Sequence, residues 1–499
     1  MKNDEYESIL VCDDDDDEQE DILNFPNKNI EYGNNNSTFL DNNIAMIFNN
    51  NLKERVLCIG EVQSGKTANI IKAIDRAFEL NYDGVIFFAG INNILKNQSK
   101  NRVSSSFLKN QEISVIDSYE TSFINSYLEL NKKFVLNILK ESKNLENIFN
   151  KLNSLMLKGK KILIIDDECD YGSINTGIKN TPKLFHEKIE KLFLRIHEGK
   201  LLQVTATPFA NILTSKNFAE NKEFKHLNQN PTKVVVLDRY SDYCGLKVFN
   251  KFNPYIVVKG DDDIKEIHNS IIIFILKTID IKYDDEQKNK KTQLLFNISL
   301  NTENHDDVFN KITKYISRLS KASDFEIKRE ISYVFQDFRT LDLNNGKDLE
   351  FYSKELKIII NSIIDNKSIF VLNSKEEADK KRFLENLEDY QIIVGGTMLS
   401  RGVTFENLIV ELILNSPETT CVDVLLQRCR WFGNRKDRMK YINILLTKKL
   451  KEALYQSEKY LSIFKPGIFD LRKLRIEISS IDRDLSIYKI RSTNSGKSQ

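Results

Sequence analysis

Residues 56–67 read VLCIGEVQSGKT, an apolar run followed by an octet of the form G-x-x-x-x-G-K-T. This octet is the pattern of a phosphate-binding loop, whose glycines let backbone N–H groups close around phosphate oxygens. A strand-like run precedes the octet, and residues 68–80 follow with apolar side chains at helical spacing. The pattern predicts phosphate contacts, with Mg²⁺ on the last hydroxyl, from Gly60, Gln63, Ser64, Gly65, Lys66 and Thr67. The alternative is a glycine turn that binds nothing.

The composition of the 499 residues is that of a globular protein with several domains, at 41% hydrophobic and 29% charged residues. The six cysteines have no C-x-x-C spacing, so neither a zinc site nor a disulfide framework is predicted. No apolar run approaches about 18 residues, and the N-terminus is acidic where a signal peptide would be basic. We therefore expect a cytoplasmic protein with no membrane partner.

The formal net charge of +1 hides an uneven distribution. Residues 1–22 hold eleven acidic side chains against one lysine, and the following residues are rich in Asn. Residues 436–499 hold fifteen Lys and Arg against seven Asp and Glu. These patterns predict a partly disordered arm over 1–43 and a basic C-terminal extension over 449–499. The extension is compatible with a nucleic-acid backbone as partner, and a solvated lysine-rich surface is the equal alternative.

Short apolar runs alternate with helical patterns after the loop, which predicts an α/β fold with a parallel sheet and crossover helices. The most strand-like run is residues 161–165, and it leads into the acidic segment DDECD at 166–170. Acidic residues at the carboxyl end of a buried parallel strand lie where α/β sheets bind ligands. We predict that Asp167 holds Mg²⁺ and that Glu168 orients the attacking water. An ordinary acidic turn is the alternative.

The phosphate loop, DDECD and the segment TATP at 205–208 resemble, in this order, motifs I, II and III of superfamily 2 helicases and translocases. Residues 395–406, GGTMLSRGVTFE, resemble motif V, and residues 425–435, LLQRCRWFGNR, resemble motif VI. The resemblance implies that several residues link the nucleotide site to the nucleic-acid path: Thr205, Thr207, Ser400, Arg401, Gly402 and Thr404. A Thr-Ala-Thr triplet alone would mean little.

The resemblance to motif VI implies that Gln427 and the nearby arginines complete the site, with an arginine reaching the γ-phosphate. Arg430 is the first choice for this arginine finger and Arg435 the second. In the usual helicase pattern a Gly precedes the first finger arginine; here Cys429 stands in that place and Arg430 comes one position early. Both arginines therefore stay candidates, and buried structural arginines are the alternative.

Six ordered blocks between Gly60 and Arg435 resemble the Z-one domain family, helicase-like ATPases of bacterial and phage-related loci that carry an endonuclease label. The resemblance implies two RecA-like P-loop domains, at 44–250 and 264–448, with ATP and Mg²⁺ in the cleft between them. A helical insertion is expected at about 307–364 in the second domain.

The expected function is an ATP-dependent motor that steps along or remodels nucleic acid, DNA rather than RNA, in a restriction or phage-defence setting. A second hypothesis is an ATP-gated interaction module that controls a partner nuclease or methyltransferase. A third is that the chain itself is an endonuclease. The E-x-K segment from Glu326 to Lys328 falls in a helical and charged stretch without an upstream strand Asp, so no nuclease centre is predicted.

Overall fold

The computed structural model describes eighteen stretches of the chain: 37–50, 53–89, 113–117, 124–140, 145–153, 159–170, 184–213, 231–260, 262–297, 302–338, 347–372, 379, 382–383, 385, 388–395, 405–414, 420–485 and 490–491. Most of the predicted acidic arm and the predicted motif V residues Ser400, Arg401, Gly402 and Thr404 lie outside the described residues.

The first sheet contains the phosphate-loop strand in its interior, third from one edge. Its strands in chain order are β1 (Glu54–Ile59), β2 (Gly84–Ala89), β3 (Ile113–Asp117), β4 (Lys133–Leu139), β5 (Lys161–Asp167), β6 (Glu198–Thr205) and β7 (Lys233–Val236), joined by β17 (Gly467–Phe469) from the end of the chain. The spatial order is β17-β7-β1-β6-β5-β2-β4-β3. All neighbours pair in parallel except β17, which runs antiparallel to β7.

The second sheet is fully parallel in its described strands and has the order β11-β12-β10-β13-β16-β9. These strands are β9 (Tyr255–Val258), β10 (Thr292–Asn297), β11 (Ile369–Leu372), β12 (Tyr390–Gly395), β13 (Leu408–Ile413) and β16 (Asn443–Thr447). Near-continuous apolar strands suit a parallel sheet covered on both faces. Two short pairs complete the strands: β8 (Tyr243–Cys244) with β15 (Gly433–Asn434), and β14 (Thr420–Cys421) with β18 (Ile490–Arg491).

Helices connect and cover these strands. In chain order they are α1 (Ser37–Ile47), α2 (Lys66–Glu79), α3 (Ile124–Glu129), α4 (Leu145–Asn153), α5 (Leu184–Arg195), α6 (Phe209–Leu213), α7 (Leu246–Phe252), α8 (Asp263–Lys282), α9 (Thr302–Lys321), α10 (Asp324–Asp337), α11 (Leu349–Asp365), α12 (Val422–Arg428), α13 (Lys448–Leu461) and α14 (Leu471–Asp484). A short 3₁₀ turn covers Met439–Tyr441. Helices α9, α10 and α11 pack on one another and on α8, within the region expected to hold a helical insertion.

The predicted α/β fold, with two parallel sheets flanked by helices, is confirmed by these sheets and their crossover helices. The carboxyl ends of β1, β5 and β6 carry the phosphate loop, the DDECD segment and the TATP segment. Because parallel strands end at one edge of a sheet, three segments far apart in sequence meet there.

The two sheets share one continuous apolar core. Buried side chains of β1 and β7, such as Leu57 and Val234, belong to the same cluster as Leu295, Ile393 and Ile444 of the second sheet. The C-terminal helices join this cluster, and β17 returns the chain to the first sheet. Among the described helices, none is long and apolar enough to cross a membrane.

Candidate nucleotide site between the two sheets

The phosphate loop is wound tightly between β1 and α2. Gly65 has φ 90° and caps the start of α2, and Gln63 also has a positive φ of 58°. The Ser64 N–H donates to the Glu61 carbonyl at 3.1 Å. A Cβ on Gly60 would lie 2.8 Å from Cγ of Lys66, so only glycine lets the lysine fold back over the loop. This curvature leaves a concave backbone surface of the kind that binds anions.

Two tyrosines that sequence reasoning missed hold the loop from outside. The Tyr240 hydroxyl donates to the Gln63 carbonyl at 3.1 Å, and its ring would contact a Cβ on Gly65 at 3.2 Å. The Tyr243 hydroxyl donates to the Val62 carbonyl at 2.8 Å. The two tyrosine hydroxyls thus bind the Val62 and Gln63 carbonyls on the outer side of the loop. This arrangement favours a loop whose backbone N–H groups face inward, toward a bound phosphate.

Lys66 and Thr67 occupy the first two positions of α2, and both side chains are half-buried. The Lys66 ammonium lies 3.5 Å from the Glu61 carbonyl, at the limit of a hydrogen bond. A helix N-terminus attracts negative charge. The positive potentials of the loop N–H groups, the Lys66 ammonium and the N-terminus of α2 therefore add at this position.

The acidic segment lies at the end of β5, near Lys66. Burial, followed by the charge of Glu168, raises the pKa of Asp167 to about 7, whereas Lys66 and Lys140 act in the opposite direction. The Glu168 N–H donates to Oδ1 of Asp167 at 3.0 Å, and Glu168 has a positive φ of 51°. Two adjacent carboxylates in partial burial repel each other, which is relieved when a cation binds between them.

A polar cluster joins the first sheet to the second. Asp170 accepts hydrogen bonds from the hydroxyls of Thr205 at 2.8 Å and Thr207 at 3.0 Å. The Gln427 amide, from α12, donates to Asp170 at 2.8 Å and to the Thr207 hydroxyl at 2.8 Å. The structure thus brings together Thr205, Thr207 and Gln427, and the contact residue is Asp170, which carried no assigned role in the sequence.

Arg430 lies at this junction and is buried, with 4% of its surface exposed. Its carbonyl accepts from the Gln63 side-chain amide at 2.9 Å, which ties the arginine segment directly to the phosphate loop. Burial lowers the pKa of Arg430 to about 10, while Glu411 and then Glu168 act to raise it. The charges of Glu411 in the second sheet and of Glu168 after β5 thus both favour the protonated form of Arg430.

Arg435 is equally buried but faces its own half of the molecule. Its guanidinium donates to the backbone carbonyls of Phe405, Glu406 and Phe432. Burial, followed by the charge of Arg438, lowers its pKa to about 10. Within the described residues, Arg435 ties together segments of the second half, whereas the Arg430 guanidinium donates to the carbonyl of Gln427 at 3.3 Å.

The residues present fit a nucleotide with Mg²⁺. The glycine-bounded loop offers N–H groups, Lys66 offers a positive charge, and Thr67 with Asp167 offers the hard oxygen ligands that Mg²⁺ prefers. Among the described side chains, no group of three or more His, Cys, Asp or Glu could hold a metal ion. Mg²⁺ is usually held by one or two protein carboxylates, with substrate phosphates and waters as its other ligands.

The E-x-K segment is explained by helix capping. Ser323 and Glu326 form a reciprocal capping box at the start of α10, with 3.3 Å between the Glu326 nitrogen and the Ser323 hydroxyl. Lys328 lies 3.5 Å from Glu350 in an exposed ion pair. Both side chains thus make contacts within the helices of the second half.

Solved structures with related folds are helicases of low sequence identity. The DUF1998 helicase MrfA bound to DNA is 13% identical with a TM-score of 0.45, over 91% of this chain and 55% of that chain. S. cerevisiae Dbp5 bound to RNA and ADP BeF3 is 10% identical with a TM-score of 0.44, over 90% of this chain and 96% of that chain. Mss116p bound to ssRNA and AMP-PNP is 12% identical with a TM-score of 0.42, over 87% and 77%. The chain thus spans about half the length of MrfA.

Two family models match different parts of the chain. Residues 19–210 match the res subunit of type III restriction enzymes, and residues 266–465 match the Z1 domain. No curated protein sequence matches the chain. The predicted resemblance to the Z-one domain family and to superfamily 2 helicase-like proteins is thus confirmed.

Proposed function

We propose that this chain is an ATPase of the superfamily 2 helicase type that acts on nucleic acid, DNA rather than RNA, in a restriction or phage-defence setting. One observation carries the proposal: the Gln427 amide and the Gln63 amide bridge the phosphate loop, DDECD and TATP segments to the arginine segment. When residues from two α/β layers share one nucleotide site, hydrolysis of the nucleotide can change the contacts between the layers. The match to a restriction-enzyme subunit supports the nucleic-acid partner.

The residues of the first sheet bind and orient the nucleotide. The loop N–H groups and Lys66 neutralise the β and γ phosphates, and Thr67 and Asp167 would hold Mg²⁺, which supplies further charge neutralisation when bound. Glu168 accepts a hydrogen bond from the attacking water and aligns it with the γ-phosphate.

The residues of the second half complete the site. Arg430 donates hydrogen bonds to the developing charge on the γ-phosphate, and Gln427 keeps the arginine segment against Asp170. Since Gln427 also bonds to Thr207, a change at the nucleotide reaches the TATP segment through one side chain. We assign to Thr205 and Thr207, with the motif V residues, the link to the nucleic-acid path.

The test is ATP hydrolysis by the purified protein with no nucleic acid, single-stranded DNA, duplex DNA or RNA. We expect stimulation by DNA, with no turnover in Lys66→Ala. Glu168→Gln should bind ATP as tightly as the wild type but fail to hydrolyse it, which equilibrium binding and turnover assays separate. ATP loss from Glu168→Gln would contradict its assignment to the water.

A second candidate, the ATP-gated interaction module, is favoured by the apolar core that runs from one sheet into the other. Wide opening of the cleft would expose this core, whereas a local change at the polar junction would not. A gated module predicts hydrolysis that is indifferent to every nucleic acid and rises only with a partner nuclease or methyltransferase. Hydrolysis stimulated by DNA alone would decide against it.

A further inference from the structure

A buried ion pair joins Asp166, the first residue of the acidic segment, to Lys140, which belongs to no sequence motif. The Lys140 ammonium lies 2.5 Å from Oδ1 of Asp166, and both side chains are almost fully buried, at 3% and 0% exposure. Lys140 directly follows β4, and Asp166 is the penultimate residue of β5. The two strands are not neighbours, because β2 lies between them.

The alternation of side chains along the strands explains how this contact forms. Leu136 and Ile138 of β4 share an apolar cluster with Ile162 and Ile164 of β5, on one face of the sheet. Because side chains alternate between faces, Lys140 and Asp166 continue these two rows on that same face. Asp167, the predicted metal ligand, lies on the opposite face. The ion pair is thus separated from the metal ligand by the sheet itself.

Lys140 makes a second contact that reaches the site. Its ammonium donates to the backbone carbonyl of Glu168 at 3.1 Å. The Glu168 N–H is bonded to Asp167, and the next N–H, that of Cys169, donates to the Val204 carbonyl at 3.0 Å. The backbone of Glu168 is therefore held on both sides, in a left-handed conformation that a non-glycine residue adopts only under constraint.

We propose that Lys140 is a positioning residue that fixes the backbone of Glu168, and through it the carboxylate that orients the attacking water. Asp166 holds the lysine ammonium at the point from which it can reach this carbonyl. The inference rests on the proposed ATPase function and adds to it a residue outside all helicase-like motifs of the chain.

Stability alone does not require this ion pair. Removing two charges from water is costly, and apolar side chains of similar volume often replace buried ion pairs without loss of stability. The surrounding cluster of β2, β4 and β5 side chains is apolar, so a methionine and a leucine would suit the same space. The contact that apolar replacements cannot reproduce is the hydrogen bond to the Glu168 carbonyl.

The test is the double variant Lys140→Met/Asp166→Leu, which removes both charges together. We expect a folded protein with a Tm within about 5 °C of wild type and ATP affinity within about threefold, but single-turnover hydrolysis slower by about 10- to 100-fold. The matched control is Lys132→Met, at an exposed lysine in the turn before β4, which should hydrolyse ATP at the wild-type rate.

A second comparison separates positioning from general damage. The Glu168→Gln variant is expected to lose steady-state turnover, so the comparison in this background uses the very slow single-turnover reaction followed over hours. Adding Lys140→Met/Asp166→Leu should slow that reaction less than about twofold, because the residue through which Lys140 acts is already disabled. An equal slowing in both backgrounds would overturn the inference, as would a double variant that hydrolyses ATP at the wild-type rate.

These outcomes are distinct from failure of the proposed function. If the wild type hydrolyses no ATP, or Lys66→Ala hydrolyses it equally well, the proposed function fails and the inference fails with it. If the wild type is active, Lys66→Ala is inactive and the Lys140 variant is unimpaired, only the inference about Lys140 is overturned.

Discussion

The two halves of the molecule meet along two strips of opposite character. The polar strip consists of Asp170, Thr205, Thr207 and Gln427, joined by hydrogen bonds of 2.8 to 3.0 Å. The apolar strip consists of aromatic side chains: Phe209, Phe249, Trp431, Phe432, Tyr460 and Phe464. Hydrogen bonds can be exchanged for water or ligand at a net difference of about 1 kcal/mol each, whereas exposing a large apolar side chain costs about 1.5–3 kcal/mol.

The polar strip adjoins the phosphate loop, since the Gly60 N–H donates to the Thr205 carbonyl at 3.0 Å. Under the proposed function, we expect the polar strip to exchange its hydrogen-bond partners during ATP turnover and the apolar strip to keep the halves together. We therefore expect substitutions in the apolar strip to lower the free energy of unfolding, and substitutions in the polar strip to lower the rate of ATP hydrolysis.

The largest expected effect is in the apolar strip, at Phe209. This side chain is fully buried directly after the TATP segment, and its ring lies 5.7 Å from Tyr460 and 5.8 Å from Phe464 of the C-terminal region. Phe209→Ala should lower the free energy of unfolding by about 3–5 kcal/mol, measured by denaturant titration. Ile476→Ala, at a side chain 68% exposed, is the control and should change stability by less than about 0.5 kcal/mol. A small loss at Phe209 would mean that the aromatic contacts do not hold the halves together.

Next in size is the contrast between the two arginines. Arg430→Lys keeps a positive charge near Glu411 but loses the planar guanidinium group with its paired donors. The kcat should therefore fall by about 10²-fold, with the free energy of unfolding little changed. Arg435→Lys should instead lower stability, by about 1–3 kcal/mol, because three backbone carbonyls lose their donors. Steady-state hydrolysis and thermal unfolding of the two variants are compared directly. The reverse pattern would make Arg435 the finger.

A smaller effect is expected at Gln427 in the polar strip. Gln427→Ala removes both donors to Asp170 and Thr207, so we expect about a tenfold loss of kcat, with a modest loss of stability. Gln391→Ala is the matched control, since this buried glutamine in β12 accepts from Gln293 at 2.7 Å within the second sheet. If both variants lose rate equally, the polar strip has no particular role in turnover.

A separate effect concerns pH and Glu411, a buried glutamate whose charge acts on Arg430. Burial raises the pKa of Glu411 to about 8, although Asn297, Arg430 and Arg428 act to lower it. In the unfolded chain the glutamate loses its proton near pH 4.3, so between about pH 4.3 and 8 the folded state retains a proton that the unfolded state has lost. The contribution of Glu411 to stability is therefore lost as pH rises through this range, at up to about 1.4 kcal/mol per pH unit.

Denaturant unfolding of the wild type and of Glu411→Gln at pH 5 to 8 checks this expectation. The wild type should lose stability with rising pH more steeply than the variant. Glu452→Gln, at an exposed position on α13, should follow the wild-type curve. Parallel curves for the wild type and Glu411→Gln would show that Glu411 is ionised in the folded protein throughout.

The fold and the main site segments could be predicted because their signals are local. The octet at 60–67 and the DDECD segment are recognisable from their residue types and spacing next to apolar strands. The partner of Gln427 could not be predicted, since it stands 257 residues away and is brought near only by the packing of the two sheets. Lys140 gave no signal either, because a single lysine after a strand is ordinary in sequence. The choice between Arg430 and Arg435 likewise depends on which carbonyls and carboxylates surround them, information that only the folded chain contains.

The antiparallel pairing of β17 with β7 has a consequence for synthesis of the chain. Strand β7 leaves the ribosome about 230 residues before its partner, and until then its outer edge presents unpaired N–H and C=O groups next to the phosphate-loop strand. Such an edge is a template for association with other nascent chains. Strand β17 therefore covers the edge of the first sheet only late in synthesis. A chain that is cut short before residue 467 leaves β7 as an open edge strand, next to the strand that carries the phosphate loop.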